Sequence, residues 1–137
     1  MNPAELTSEQ KEHLREWVVA LRSRKYKQGK RVLRNVSGDQ DEYCCLGVAC
    51  EVSKVGKWVV NINEPNVRRY IVVLDDNTLD GSTLVLPVAV ADFFGIDTDP
   101  GIGKTLFSNE PMRATYANDT GTSFAQIADG IEKYYEL

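Results

Sequence analysis

The three cysteines of this chain fall within seven positions, as Cys44, Cys45 and Cys50 of EYCCLGVACEV. Thiols this close raise two chemistries: a metal centre, or a cysteine nucleophile activated by an imidazole, for which His13 is the one histidine. Geometry argues against zinc. On a helix turning about 100° per residue, Cys44 and Cys45 lie about 120° and 140° around the axis from Cys50, so the three thiolates diverge. Placement argues against the nucleophile, because His13 stands among glutamates on the polar side of the first helix. A helix N-terminus is one of the settings that can lower a thiol pKa, so Cys44 or Cys45 keeps the nucleophile open as an alternative. The favoured reading is structural: small, mildly apolar side chains lining a core.

Two further stretches could hold an anion. TDPGIGKT, residues 98–105, ends like a phosphate loop, with Lys104 placed for a phosphate contact, but the pattern G-x-x-x-x-G-K-[ST] wants glycine where this chain has Thr98. The residues before it read as a helix end instead of a strand, and Pro111 stops any helix after it. In ATYANDTGTSF, Asn118 and Asp119 precede a glycine turn and a helix N-terminus, whose free backbone N–H groups favour an anionic ligand. The same two residue types also build turns by bonding their own backbone. Asp75 and Asp76 read as a turn signal without chemistry.

The charge layout adds another candidate. Up to Arg34 there are nine Lys/Arg against four Asp/Glu; beyond it, seven against sixteen, giving a net charge of -4. RSRKYKQGKRVLR, residues 22–34, carries seven cations and no acid. Such a cluster attracts the phosphates of a nucleotide or nucleic acid, or an acidic protein; otherwise it is a solvated connector.

These residues must be positioned by a small set of elements. Thr7 and Gln10 form a capping box for a helix to about Arg22, with Leu14, Trp17, Val18 and Leu21 in one apolar stripe. Gly29 breaks the chain before a short strand in KRVLRNV, and SGDQDE reads as a loop. Asp41 is a candidate cap for a nearly all-apolar helix over residues 44–55, closed by Gly56. KWVVNI and RRYIVVLDD read as paired antiparallel strands joined at NEPN, and the DG of LDGS as a reversal into TLVL. Pro87 opens a helix VAVADFF ended by Gly95, RATYA is a short extended piece, and Ser123 with Gln126 caps a last helix.

A chain of 137 residues buries about 68% of its unfolded surface, enough for one core and a single domain over residues 1–137. No apolar run is long enough to cross a membrane, and the N-terminus lacks the pattern of a secretory signal, so a reducing cytoplasm with free thiols is expected.

The chain resembles a family of small phage and prophage proteins in which LRSxKYKQGxxxLR leads into YCCLGVxCE, followed by LPxxVAxxxGI and closed by NDxGxSFxxIADxIE. Here those pieces read LRSRKYKQGKRVLR, YCCLGVACE, LPVAVADFFGI and NDTGTSFAQIADGIE; residues 52–85 and 99–112 are unmatched. The resemblance carries over no catalytic residue. It implies a virus-encoded protein acting in the bacterial cytoplasm.

The expected fold is α+β: a small antiparallel sheet packed by the N-terminal, cysteine-containing and C-terminal helices. The expected function is a non-catalytic binding protein, without cofactor or metal, that sequesters an anionic nucleotide signal of host defence or blocks a host protein. Its expected ligand-binding residues are Arg24, Lys30, Arg31, Arg34, Arg113, Asn118 and Asp119. The alternatives are a nucleic-acid-binding accessory protein, with Tyr26 stacking on bases, and a cysteine-dependent enzyme using Cys44 or Cys45. A homo-oligomer that shares a site between copies is compatible with all three.

Overall fold

The computed structural model describes residues 5–102 and 112–137. The first helix, α1 (Ser8–Arg22), starts at the expected capping box. Thr7 Oγ1 accepts from the Gln10 amide at 3.0 Å, and Gln10 Oε1 accepts from the Thr7 amide at 3.0 Å. Leu14, Trp17, Val18 and Leu21 are its buried residues.

Three short strands follow: β1 (Lys27–Gln28), β2 (Arg34–Ser37) and β3 (Gln40–Tyr43). The stretch expected to be a loop is therefore half of a hairpin. Gly38, at φ 60, turns the chain so that Arg34 pairs with Tyr43 and Ser37 with Gln40. Asp41 lies inside β3 and caps no helix.

The cysteine helix α2 (Cys45–Ser53) has Cys44 as its N-cap and Lys54, at φ 56, as its left-handed C-cap. Gly56 serves close packing instead: a Cβ there would stand 2.1 Å from the Ile71 carbonyl oxygen. Gly47 does the same on the other side of the fold, where a Cβ would meet the Leu33 carbonyl oxygen at 1.8 Å. Helix α2 thus meets the chain at Leu33 at backbone distance, and every residue from Cys44 to Cys50 is buried. It packs against α1 and β3, and against α3 (Val88–Phe94) and α4 (Ala114–Asp119).

The sheet is completed by β4 (Lys57–Asn61), β5 (Glu64–Val73) and β6 (Leu79–Ser82). Its order is β1-β3-β2-β5-β4, with β6 also on β5, and only β1 with β3 is parallel. NEPN is not the turn: Asn61 already pairs with Glu64, so β5 takes in the rest of that motif. Nor does LDGS reverse the chain. It is β6 itself, and the reversal lies just before it, where Asp76 Oδ1 accepts from the Thr78 amide at 3.0 Å.

The sheet face toward α2 is aromatic. Tyr26, Tyr43, Trp58 and Tyr70 form a chain of edge-on rings with centroids 5.1, 6.1 and 4.8 Å apart. Trp58 Nε1 donates to Glu51 at 2.7 Å, and the Gly56 amide donates to Tyr70 Oη at 2.8 Å, which ties the sheet to the end of α2.

The last helix, α5 (Phe124–Tyr134), has the expected capping box at Ser123 and Gln126 and packs on α1. RATYA, expected to be extended, is instead the start of α4. Asp99, from a distant part of the chain, caps it: its carboxylate accepts from the Thr115 amide at 3.0 Å and from Thr115 Oγ1 at 2.6 Å. Ala114 and Ala117 are then buried. With five helices and a mostly antiparallel sheet among the described residues, the chain is α+β.

Candidate functional site

The cysteines are core residues. All three are free and buried, and Trp17 Nε1 donates to the Cys45 carbonyl at 3.0 Å. Loss of solvent pushes the Cys44 thiol up to about 12 and lifts Cys45 and Cys50 well above the usual thiol range. A thiolate at Cys44 or Cys45 is therefore disfavoured near neutral pH, despite the helix N-terminus. His13 is turned elsewhere, stacked on Phe93 with ring centroids 3.7 Å apart and with Nδ1 2.8 Å from the Phe93 carbonyl oxygen. Among the described residues, no three His, Cys, Asp or Glu side chains are grouped to hold a metal ion.

The start of the phosphate-loop-like stretch is held by backbone pairing. Thr98 accepts from the Leu86 amide at 3.0 Å, Pro100 from the Ala114 amide at 2.8 Å, and Gly101 from Tyr135 Oη at 2.8 Å. Lys104 lies outside the described residues.

The basic segment is organised by Gln28, a fixed position of the LRSxKYKQGxxxLR motif that lies outside the expected ligand set. Gln28 Nε2 donates to Asn118 Oδ1 at 3.0 Å and to the Thr122 carbonyl at 2.8 Å, while Gln28 Oε1 accepts from the Phe124 amide at 3.2 Å. The helix N-terminus expected to attract an anion is thus already occupied, by Gln28 and by the Ser123 cap. The signals in the sequence are its fixed place in that motif and an uncharged amide in a run of cations, followed by a glycine.

Asn118 is fully buried and cannot take a ligand. Its Oδ1 also accepts from the Cys45 amide at 3.1 Å, and its Nδ2 donates to the Gly29 carbonyl at 2.8 Å. Asp119 Oδ1 accepts from the Arg31 amide at 2.9 Å, fixing Arg31 at φ 74. Arg34 is half-buried: Nε donates to Asp41 Oδ2 at 2.7 Å, Nη2 reaches the same oxygen, and the guanidinium lies 5.2 and 5.3 Å from the Tyr43 and Trp58 ring centroids. Asn118 and Arg34 thereby leave the expected ligand set, the first because its hydrogen bonds are made inside the fold, the second because Asp41 neutralises it. Arg113 stands at the far end of α4 and donates to the Asp99 carbonyl at 3.3 Å.

What remains is a band of exposed cations: Arg24, Lys25, Lys27, Lys30 and Arg31. Among the described residues no carboxylate is ion-paired with any of them, whereas Arg22, just before, is held by Asp129 and Glu132. Lys25 Nζ lies 5.5 Å from the centroid of the half-buried Tyr26 ring.

No curated protein and no solved structure matches this chain. A family model does, over residues 8–135, which is the stretch from the first residue of α1 to the buried Tyr135. The chain therefore belongs to the family of domains of unknown function DUF8296.

Proposed function

We propose that this protein is a phage-encoded, non-catalytic binding protein of the bacterial cytoplasm that captures a phosphate-bearing ligand through its basic segment. The observation that carries this reading is the band of five exposed cations with no carboxylate partner among the described residues, on backbone held in place by Gln28, Asn118 and Asp119. Uncompensated positive charge on a fixed loop in an otherwise acidic chain attracts polyanions and loses little entropy on binding them. The resemblance to phage proteins supports a counter-defence role, in which the ligand is an anionic nucleotide signal.

A second reading has its own observation. The cations follow an exposed segment with Tyr26 beside Lys25, an arrangement that also suits the backbone and bases of a single-stranded nucleic acid.

Calorimetric titration with cyclic dinucleotides and with short oligonucleotides, at low and physiological salt, tests both. Nucleotide binding lost in the triple variant Lys27→Glu/Lys30→Glu/Arg31→Glu supports capture of a signal. Oligonucleotide affinity that falls steeply with salt moves the function to nucleic acid. Binding of neither, or binding unchanged in the triple variant, removes the basic segment from the function.

A further inference from the structure

From Tyr70 to Ile102 the chain carries six aspartates and no lysine or arginine. The same stretch holds five of the ten large hydrophobic side chains that are exposed among the described residues: Val73 (59%), Leu74 (38%), Leu79 (62%), Leu84 (55%) and Val88 (58%). Four of them, Val73, Leu74, Leu79 and Val88, lie together. Val73 and Leu79 are cross-strand partners at the turn end of the β5–β6 hairpin. Leu74, Leu79, Val88 and Ala89 line an open groove of about 460 Å³ between that hairpin and α3, with Asp80 and Asp92 in its wall. Asp75 and Asp76 form the adjoining turn, and no cation pairs with any of these aspartates among the described residues.

An exposed apolar patch rimmed by one sign of charge is a docking surface, and the sign selects what docks. Nucleic acid and anionic lipid surfaces are repelled. A second copy related by a two-fold axis would set the aspartates of one groove against those of the other, and a head-to-tail arrangement would leave the contact unclosed. We propose that this groove docks a segment of another protein that presents apolar side chains between lysines or arginines, in the manner of a basic amphipathic helix. Leu79 and Val88 grip its apolar face, and Asp75 and Asp92 meet its charges. This surface is separate from the basic segment, so the protein joins a cationic partner at one site to an anionic ligand at another.

The test uses a fluorescent peptide of about four helical turns built from leucine and lysine, with a serine/lysine peptide of equal charge and a leucine/glutamate peptide as controls. Saturable binding of the leucine/lysine peptide alone is expected. Leu79→Asp/Val88→Asp should weaken it at least about tenfold, since each exposed anchor contributes through the apolar area it buries. Asp75→Lys/Asp92→Lys should weaken it and abolish its salt dependence, while the triple variant of the basic segment leaves it unchanged. Circular dichroism and thermal midpoints should match the parent protein, because none of the four substituted side chains lies in the core. The proposal is overturned by any of three results: no saturable binding, equal binding by Leu79→Asp/Val88→Asp, or equal binding of the leucine/glutamate peptide. A dimer seen by sedimentation and lost in Leu79→Asp/Val88→Asp also overturns it, by giving the groove to a second copy.

Discussion

Gln28 and Asn118 are 90 positions apart and hydrogen-bonded side chain to side chain at 3.0 Å, which fastens the basic segment to the end of α4 and the start of α5. The basic segment and the turn that follows α4 are thereby held as one joint, which leaves the exposed cations on a fixed backbone.

Replacing Asn118 should accordingly unfold more than it unbinds. Asn118→Ala leaves the Cys45 amide and the Gly29 carbonyl without partners, and a buried group stripped of its hydrogen bond costs about 1–3 kcal/mol, so a loss of about 3 kcal/mol is expected. Gln28→Ala, at a half-buried position, should lose about half as much. Urea denaturation measures both; an Asn118→Ala protein of parental stability that no longer binds its ligand would return Asn118 to the ligand set.

Gly47 should tolerate no side chain. Its missing Cβ would overlap the Leu33 carbonyl oxygen, so Gly47→Ala must push α2 away from the strand region and should cost about 3 kcal/mol or more. Gly38→Ala adds a Cβ in open space at φ 60, where the strain is about 1 kcal/mol. Comparing the two thermal midpoints separates close packing from backbone strain.

The buried thiols give stability a defined pH dependence. Their folded pKa values lie above the unfolded value of 9.0, so the folded state keeps protons that the unfolded state releases. The stabilisation is fully present below about pH 9 and is lost as pH rises toward 12, by up to about 1.4 kcal/mol per pH unit for each thiol. Guanidinium unfolding at stepped pH should show this slope, and Cys44→Ala/Cys50→Ala should flatten it. Iodoacetamide should label the native protein slowly and the denatured protein fast; rapid native labelling would restore the cysteine-enzyme alternative.

Arg34→Lys should behave as a disruptive substitution. Lysine keeps the charge but cannot give Asp41 two donors from one planar group while lying against Tyr43 and Trp58, and a loss of about 1–2 kcal/mol is expected. Trp58 fluorescence should change with it. The nucleotide binding proposed for the basic segment should persist, because Arg34 is already paired with Asp41.

Both capping boxes, the stripe of α1, the all-apolar α2 and the Gly95 terminus of α3 are legible in the sequence because each rests on neighbours within a few residues. The failures have the opposite character. Ala114–Asp119 is a helix because Asp99, fifteen or more positions earlier, caps Thr115, and no local pattern announces that. Gln40–Tyr43 is a strand, although polar, because β2 and β1 supply its partners on both sides. Gly56 has the look of a cap, yet its role is to let Ile71 approach. In the candidate site the exposure of Arg24, Lys30 and Arg31 follows from local composition, whereas the pairing of Arg34 with Asp41 and the burial of Asn118 depend on sheet register and tertiary closure.

The packing of α1 on α5, with Arg22 bridging to Asp129 and Glu132, joins the earliest helix to the latest. As the ribosome releases the chain, α1 meets α2 and α3 first, while the part of its surface that α5 covers stays open until Phe124 and the residues after it have emerged. Contacts of such sequence separation form slowly, and the α1–α5 side of the core closes only once α5 has emerged. A nascent chain halted before Phe124 should therefore lack this closure and be a client for chaperones and proteases.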